Sequence, residues 1–208
     1  AFQLGLPVSG IEAAPKLHHI DSPPPPPARK NRRARVVVGV IDSGFAFAHR
    51  RFRGRDGRTR IDAFWDQRAG WNAPNPPIAP RRGAAQIADI VPYGTELLGS
   101  AIDRLLHDAR RDEDAIYRGL RYPGADLRAS HGTHVLDLAC GYGPGDAGPA
   151  AGLPHIVCVA LPRQTTADTA GLSLGVYALD ALRYILDRAD RLVRGANVVV
   201  HLSYGNLA

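Results

Sequence analysis

The chain has 208 residues, 45% hydrophobic and 22% charged, the balance of an ordinary globular protein with room for one large domain or two small ones. No run approaches the ~18 apolar residues that cross a bilayer, which excludes a membrane span, and Cys140 and Cys158 are too few for a disulfide framework or a four-thiolate metal site. The net charge of +6 raises the question of nucleic acid, but its bases are arginine apart from Lys16 and Lys30, and no zinc finger, RNP-type motif or helix-turn-helix accompanies them.

The first 34 residues read as a tail. Pro23 to Pro27 favour an extended polyproline spacer, and the basic stretch from Arg29 to Arg33 keeps it solvated. No hydrophobic core of a signal peptide stands in residues 1–22, and methionine is absent throughout, so we expect a processed or selected piece of a longer protein. The folded domain is expected over 35–208.

Val36 to Ile41 is a continuous, β-branched apolar run, the pattern of a strand buried on both faces of a parallel sheet. The arginines at 50, 51, 53, 55, 58 and 60 lie among Gly54, Asp56 and Gly57 and predict a solvated loop. Ile61 to Asp66 alternates apolar and polar residues, as a half-exposed strand does. The prolines between 74 and 92 predict a surface excursion. Leu97, Leu98, Ala101, Ile102, Leu105, Leu106 and Ala109 recur at helical spacing. A second helix is predicted from His131 to Gly141, a buried strand over His155 to Leu161, a long helix through Leu179 to Leu192, and a last strand over Asn197 to Leu202. This order is that of an α/β fold: a doubly wound, mostly parallel sheet with helices on both faces. Working residues in such sheets gather at the carboxyl edge of the strands.

Three motifs sit at chemically useful places. Val40-Ile41-Asp42-Ser43-Gly44 puts a carboxylate at the tip of a buried strand, although Asp-Ser-Gly alone is also an ordinary turn. Ser130-His131-Gly132-Thr133-His134-Val135 opens a helix that Ser130 can cap. His131 and His134 could face one way, but a metal site needs at least one further ligand, and no His-Glu-x-x-His pattern is present. No metal and no cofactor is therefore expected. Val198-Val199-Val200-His201-Leu202-Ser203-Tyr204-Gly205 is, by itself, a strand entering a turn.

Taken together and in this order, the three motifs resemble those of the subtilisin-like serine proteases, the subtilases. Val-Ile-Asp-Ser-Gly is similar to that family's aspartate motif, His-Gly-Thr-His-Val to its histidine motif, and Ser-Tyr-Gly to the Ser-x-Gly segment that binds substrate backbone. The resemblance covers roughly residues 35–208 and implies a serine endopeptidase with catalytic Asp42 and His131 and with Ser203, Tyr204 and Gly205 binding substrate. It implies no catalytic role for His134, for which helix packing is expected. The chain departs from the family between 67 and 128, where an insertion is expected, and in Asp137, whose partner the sequence does not identify.

The largest departure is the missing nucleophile. Serines stand at 9, 22, 43, 100, 130, 173 and 203, and none lies in the family's Gly-Thr-Ser-x-Ala context. Ser203 ends a strand, matches the substrate segment instead, and has five residues after it, too few for a strand-to-helix elbow. The chain is thus expected to be the N-terminal part of a subtilase catalytic domain, its sheet incomplete at the C-terminus and inactive alone. Its expected partners are a peptide or protein substrate and the C-terminal half of the domain carrying the serine, with no nucleic acid and no membrane. Two other readings remain at this stage: a catalytically inactive subtilase-like module that binds peptides or regulates a partner, and a nucleic-acid binder driven by the arginines.

Overall fold

A computed structural model describes residues 36–68, 93–122, 130–142, 153–162 and 172–202. The expected tail, the proline-rich excursion and the Ser203–Gly205 segment lie outside the described residues.

Five strands form one sheet: β1 (Val36–Asp42), β2 (Ile61–Asp66), β3 (Thr95–Leu98), β4 (His155–Ala160) and β5 (Asn197–Leu202), in the order β3-β2-β4-β1-β5. All neighbours run parallel except β2 and β3. Among the described residues four α-helices flank it: α1 (Gly99–Asp108), α2 (Glu113–Leu120), α3 (His131–Cys140) and α4 (Leu172–Leu192). The α/β architecture with a mostly parallel sheet is as the sequence predicts.

The two faces of the sheet are packed differently. On one, α1, α2 and α3 close over an aromatic core in which Phe47 stacks on Phe64 at 5.1 Å and meets Tyr117 and Tyr122 edge-on. On the other, Ala181, Tyr184, Ile185 and Ala189 of α4 cover Val37, Ile41, Trp65, Val157 and Val159. Burial of this apolar surface, at about 25 cal/mol per Å², is the main force holding the layers. Ile185 of α4 packs directly on Gly39: a Cβ there would stand 2.5 Å from Ile185 Cγ2. Val37 and Val40 of β1 are fully buried, on opposite faces, with Val36 and Val38 half-buried, which is why the strand carries no alternation.

Several local readings are corrected. Ile61–Asp66 is not half-exposed: β3 and β4 flank it, helices lie on both faces, and Asp66 is buried against Arg68. Leu97 and Leu98 belong to β3, opposite Phe64 and Ala63, and the helix begins only at Gly99. Helix α2, capped by Asp112 on the amides of Asp114 and Ala115, has no counterpart in the sequence reading. β3, α1 and α2 all fall inside the 67–128 stretch.

The arginine run is not simply a solvated loop either. Arg51 pairs with Asp137 at 2.6 Å, Arg58 with Asp103 at 3.0 Å, and Arg53 donates to the carbonyls of Ala48 and Arg111. Arg60 donates to the Cys140 carbonyl at the end of α3 and lies over the Tyr142 ring, and burial lowers its pKa. Carbonyls at a helix end attract a cation, which suits Arg60 to the end of α3, while Arg50, Arg55 and Arg58 stay exposed as a solvated loop would leave them.

Candidate active site

The carboxyl edge of β1 carries Asp42, 2% exposed, with its backbone carbonyl bonded to the Leu161 amide. Its Oδ1 accepts from the Ser43 amide at 2.6 Å and from the Ser43 hydroxyl at 3.2 Å. Its Oδ2 meets Nδ1 of His131 at 2.9 Å, although the two residues are 89 positions apart. The resemblance implies that Asp42 holds the His131 imidazole, and the structure brings the two side chains within hydrogen-bond distance.

Helix α3 delivers the imidazole. Ser130 caps it, accepting from the Thr133 amide at 3.3 Å while donating to the Gly44 carbonyl at 2.9 Å. Gly132 then lies against the end of β1, where a Cβ would stand 2.8 Å from Asp42 Cβ and 3.0 Å from its Cγ. Only a glycine lets the first turn of the helix approach the carboxylate this closely. Thr133 accepts the Ala46 amide at 2.8 Å, tying the turn after Asp42 to the helix. The sequence reading missed Thr133; its hydroxyl inside the motif was the available signal.

The pair is asymmetric in its exposure. The His131 side chain is 63% exposed while the carboxylate is buried. With Nδ1 engaged by Asp42, Nε2 is left to exchange a proton with a group arriving from solvent. A buried acceptor holding one ring nitrogen fixes tautomer and orientation and stabilises the imidazolium when it forms. Such an arrangement can act as a general base and then as a general acid.

The other candidate residues are placed as follows. Ser43 and Ser130 spend their hydroxyls on Asp42, Gly44 and Thr133, so neither is poised as a nucleophile. His134 is exposed on α3, so the expected packing role does not hold. Asp137 faces Arg51. Ser203, Tyr204 and Gly205 lie outside the described residues; β5 itself pairs with β1 on the side away from β4, with Ile41 in register with Leu202. Among the described residues no group of three or more His, Cys, Asp or Glu side chains is placed to hold a metal ion. Nor is any described helix long and apolar enough to cross a membrane. A cleft of about 640 Å³ opens at the opposite, amino edge of the sheet around Arg58, Arg60, Asp62, Asp103 and Arg188. It shares no residue with the Asp42–His131 pair, whose geometry and burial mark the better candidate.

No protein-family model matches this sequence, and no curated protein matches it. Among solved structures the chain is similar to the CspB protease of Clostridium perfringens, with a TM-score of 0.51 and 19% identity. The match covers 83% of this chain but 29% of that one, so the chain spans less than a third of the protease's length. The likeness is one of fold: this α/β architecture is shared with part of a protease.

Proposed function

We propose that this chain is the N-terminal part of the catalytic domain of a subtilisin-like serine endopeptidase. Asp42 orients His131, and His131 takes the proton of a serine hydroxyl supplied by a segment beyond residues 1–208. The attacking oxygen forms an acyl-enzyme with the substrate carbonyl, and His131 returns its proton to the leaving amine. Water then repeats the cycle and releases the acid. The Ser203–Gly205 segment, next in the chain after β5, binds the substrate backbone as an added strand.

The observation that carries this reading is the 2.9 Å contact of His131 Nδ1 with a buried Asp42 beside an otherwise exposed imidazole. Uncovered apolar side chains support the further segment: Leu138 of α3 is 90% exposed and Val199 of β5 is 55% exposed.

A fluorophosphonate probe, which labels activated serines, tests the reading. The full-length protein is expected to be labelled, the isolated 208-residue chain not, and the full-length His131→Ala variant not. Labelling that persists in His131→Ala would remove the proposed base. A full-length protein that binds peptides without being labelled would instead establish a catalytically inactive, peptide-binding module.

A further inference from the structure

The segment Phe45–Ala48 is fully buried yet belongs to no strand or helix, so its backbone groups need partners other than a ladder. Together with Gly44 it is held by four side-chain hydroxyls. Two come from the histidine motif: Ser130 donates to the Gly44 carbonyl, and Thr133 accepts the Ala46 amide. The other two come from neither motif. Tyr117 of α2 accepts the Ala48 amide at 3.0 Å, and Tyr122 donates to the Phe45 carbonyl at 3.1 Å.

The tyrosines are themselves fixed. Arg121 ends α2 in the left-handed region at φ 50°, which folds the chain back so that the Tyr122 amide reaches the Tyr117 carbonyl at 3.0 Å. Tyr122 also accepts from Arg68 Nη2 at 3.3 Å, and Arg68 grips Asp66 at the tip of β2 through Nε and Nη2 at 2.8 and 2.9 Å. Burial raises the pKa of both phenols, so both keep their protons. Phe47 packs against both rings, which gives the hydroxyls a rigid mount.

We propose that Tyr117 and Tyr122 are positioning residues for the Asp42–His131 pair, holding the segment that leaves Asp42 through hydroxyls borne by the α2 region. Ser43 begins that segment and donates twice to the Asp42 carboxylate, so a shift of the segment moves the carboxylate. The kinetic part of this inference rests on the protease reading; the geometric part does not. Misplacement of a catalytic group by about 1 Å can cost on the order of 100-fold in rate, so losing one anchoring hydroxyl is expected to cost about tenfold.

The experiment compares full-length wild type with Tyr117→Phe, Tyr122→Phe and the double variant, which keep the rings and remove only the oxygens. The first readout is the NMR resonance of the His131 Nδ1 proton shared with Asp42 and its exchange with water. The second is fluorophosphonate labelling, separated into the maximal rate and the half-saturating probe concentration. Each single variant is expected to speed proton exchange and lower the maximal rate about tenfold, with the half-saturating concentration unchanged. A lowered melting temperature with an unaltered resonance would reduce the tyrosines to packing and overturn the proposal. So would absence of that resonance in the wild type, since there would be no held pair. If the double variant does not fold, the single variants decide. If the wild type is not labelled but its resonance responds to the tyrosines, the protease reading fails and the positioning role stands.

Discussion

Asp42 and Asp66 stand at one level of the sheet, each in register with Ala160 of the strand between them, and their partners differ in kind. Asp66 is fully buried and gripped by Arg68, whose side chain is 10% exposed. Burial works against the Arg68 charge, but the hydrogen bonds and charge of Asp66 together raise its pKa. Asp42 faces an imidazole open to solvent. One carboxylate is closed off in the core, and the other holds a side chain that solvent reaches.

Removing the two partners should separate these roles. Arg68→Ala strips a buried carboxylate of its bidentate cation and is expected to cost about 3–5 kcal/mol in urea unfolding. His131→Ala removes an exposed group and is expected to cost under about 1 kcal/mol. Equal losses would show that the two carboxylates are not different in kind.

Gly132→Ala is expected to destabilise the protein by about 1–3 kcal/mol, because the new methyl must displace the end of β1. Since it meets Asp42 itself, fluorophosphonate labelling of the full-length protein should fall along with the unfolding midpoint. An alanine variant with unchanged stability and labelling would show that α3 does not approach β1 this closely.

Asp42→Asn preserves shape but presents an amide to His131 Nδ1, favouring the wrong tautomer. Under the protease reading, labelling of the full-length protein should slow by about 10⁴, with little change in melting temperature. A slowing of less than about tenfold would argue that Asp42 does not orient the base.

The cysteines give a pH prediction. Burial pushes the Cys140 thiol up to about 11, and Cys158 well above its ordinary value. The thiolate is the reactive form and is populated only as pH approaches the pKa, so both thiols should resist iodoacetamide at pH 8. Reactivity of Cys140 should rise about tenfold per pH unit up to about 11. Both should alkylate once the chain is unfolded in urea, as peptide mapping by mass spectrometry would show. Prompt alkylation of either in the native protein at pH 8 would contradict their burial.

Much of the fold was legible because its signals are local. The unbroken valines of β1, the apolar β4 and the capped start of α3 report their own surroundings. The failures have a common cause. Leu97 and Leu98 sit at helical spacing with Ala101 and Ile102, yet pairing with β2 draws them into a strand. In α4, Leu179, Leu182 and Leu186 are exposed, and Ala181, Tyr184, Ile185 and Ala189 face the sheet, because the buried side of the helix is set by its packing on the strands and not by its leucines. His134 shares a motif with His131 and points elsewhere.

The sequence by itself determined the alternation of strands and helices, the burial of β1 and the three motifs whose order carries the protease resemblance. Each of these is written in neighbouring residues, through periodicity, branching at Cβ and capping chemistry. Only the tertiary structure decided which ring nitrogen of His131 meets Asp42 and at what distance, that Asp66 is closed off by Arg68, that Arg51, Arg53 and Arg60 find partners within the fold, and that Tyr117 and Tyr122 bond the chain that follows Asp42. These contacts join residues far apart in the chain, and they depend on strand register and on which face each helix covers. No local pattern encodes a distance between two such residues until the sheet that sets it has formed.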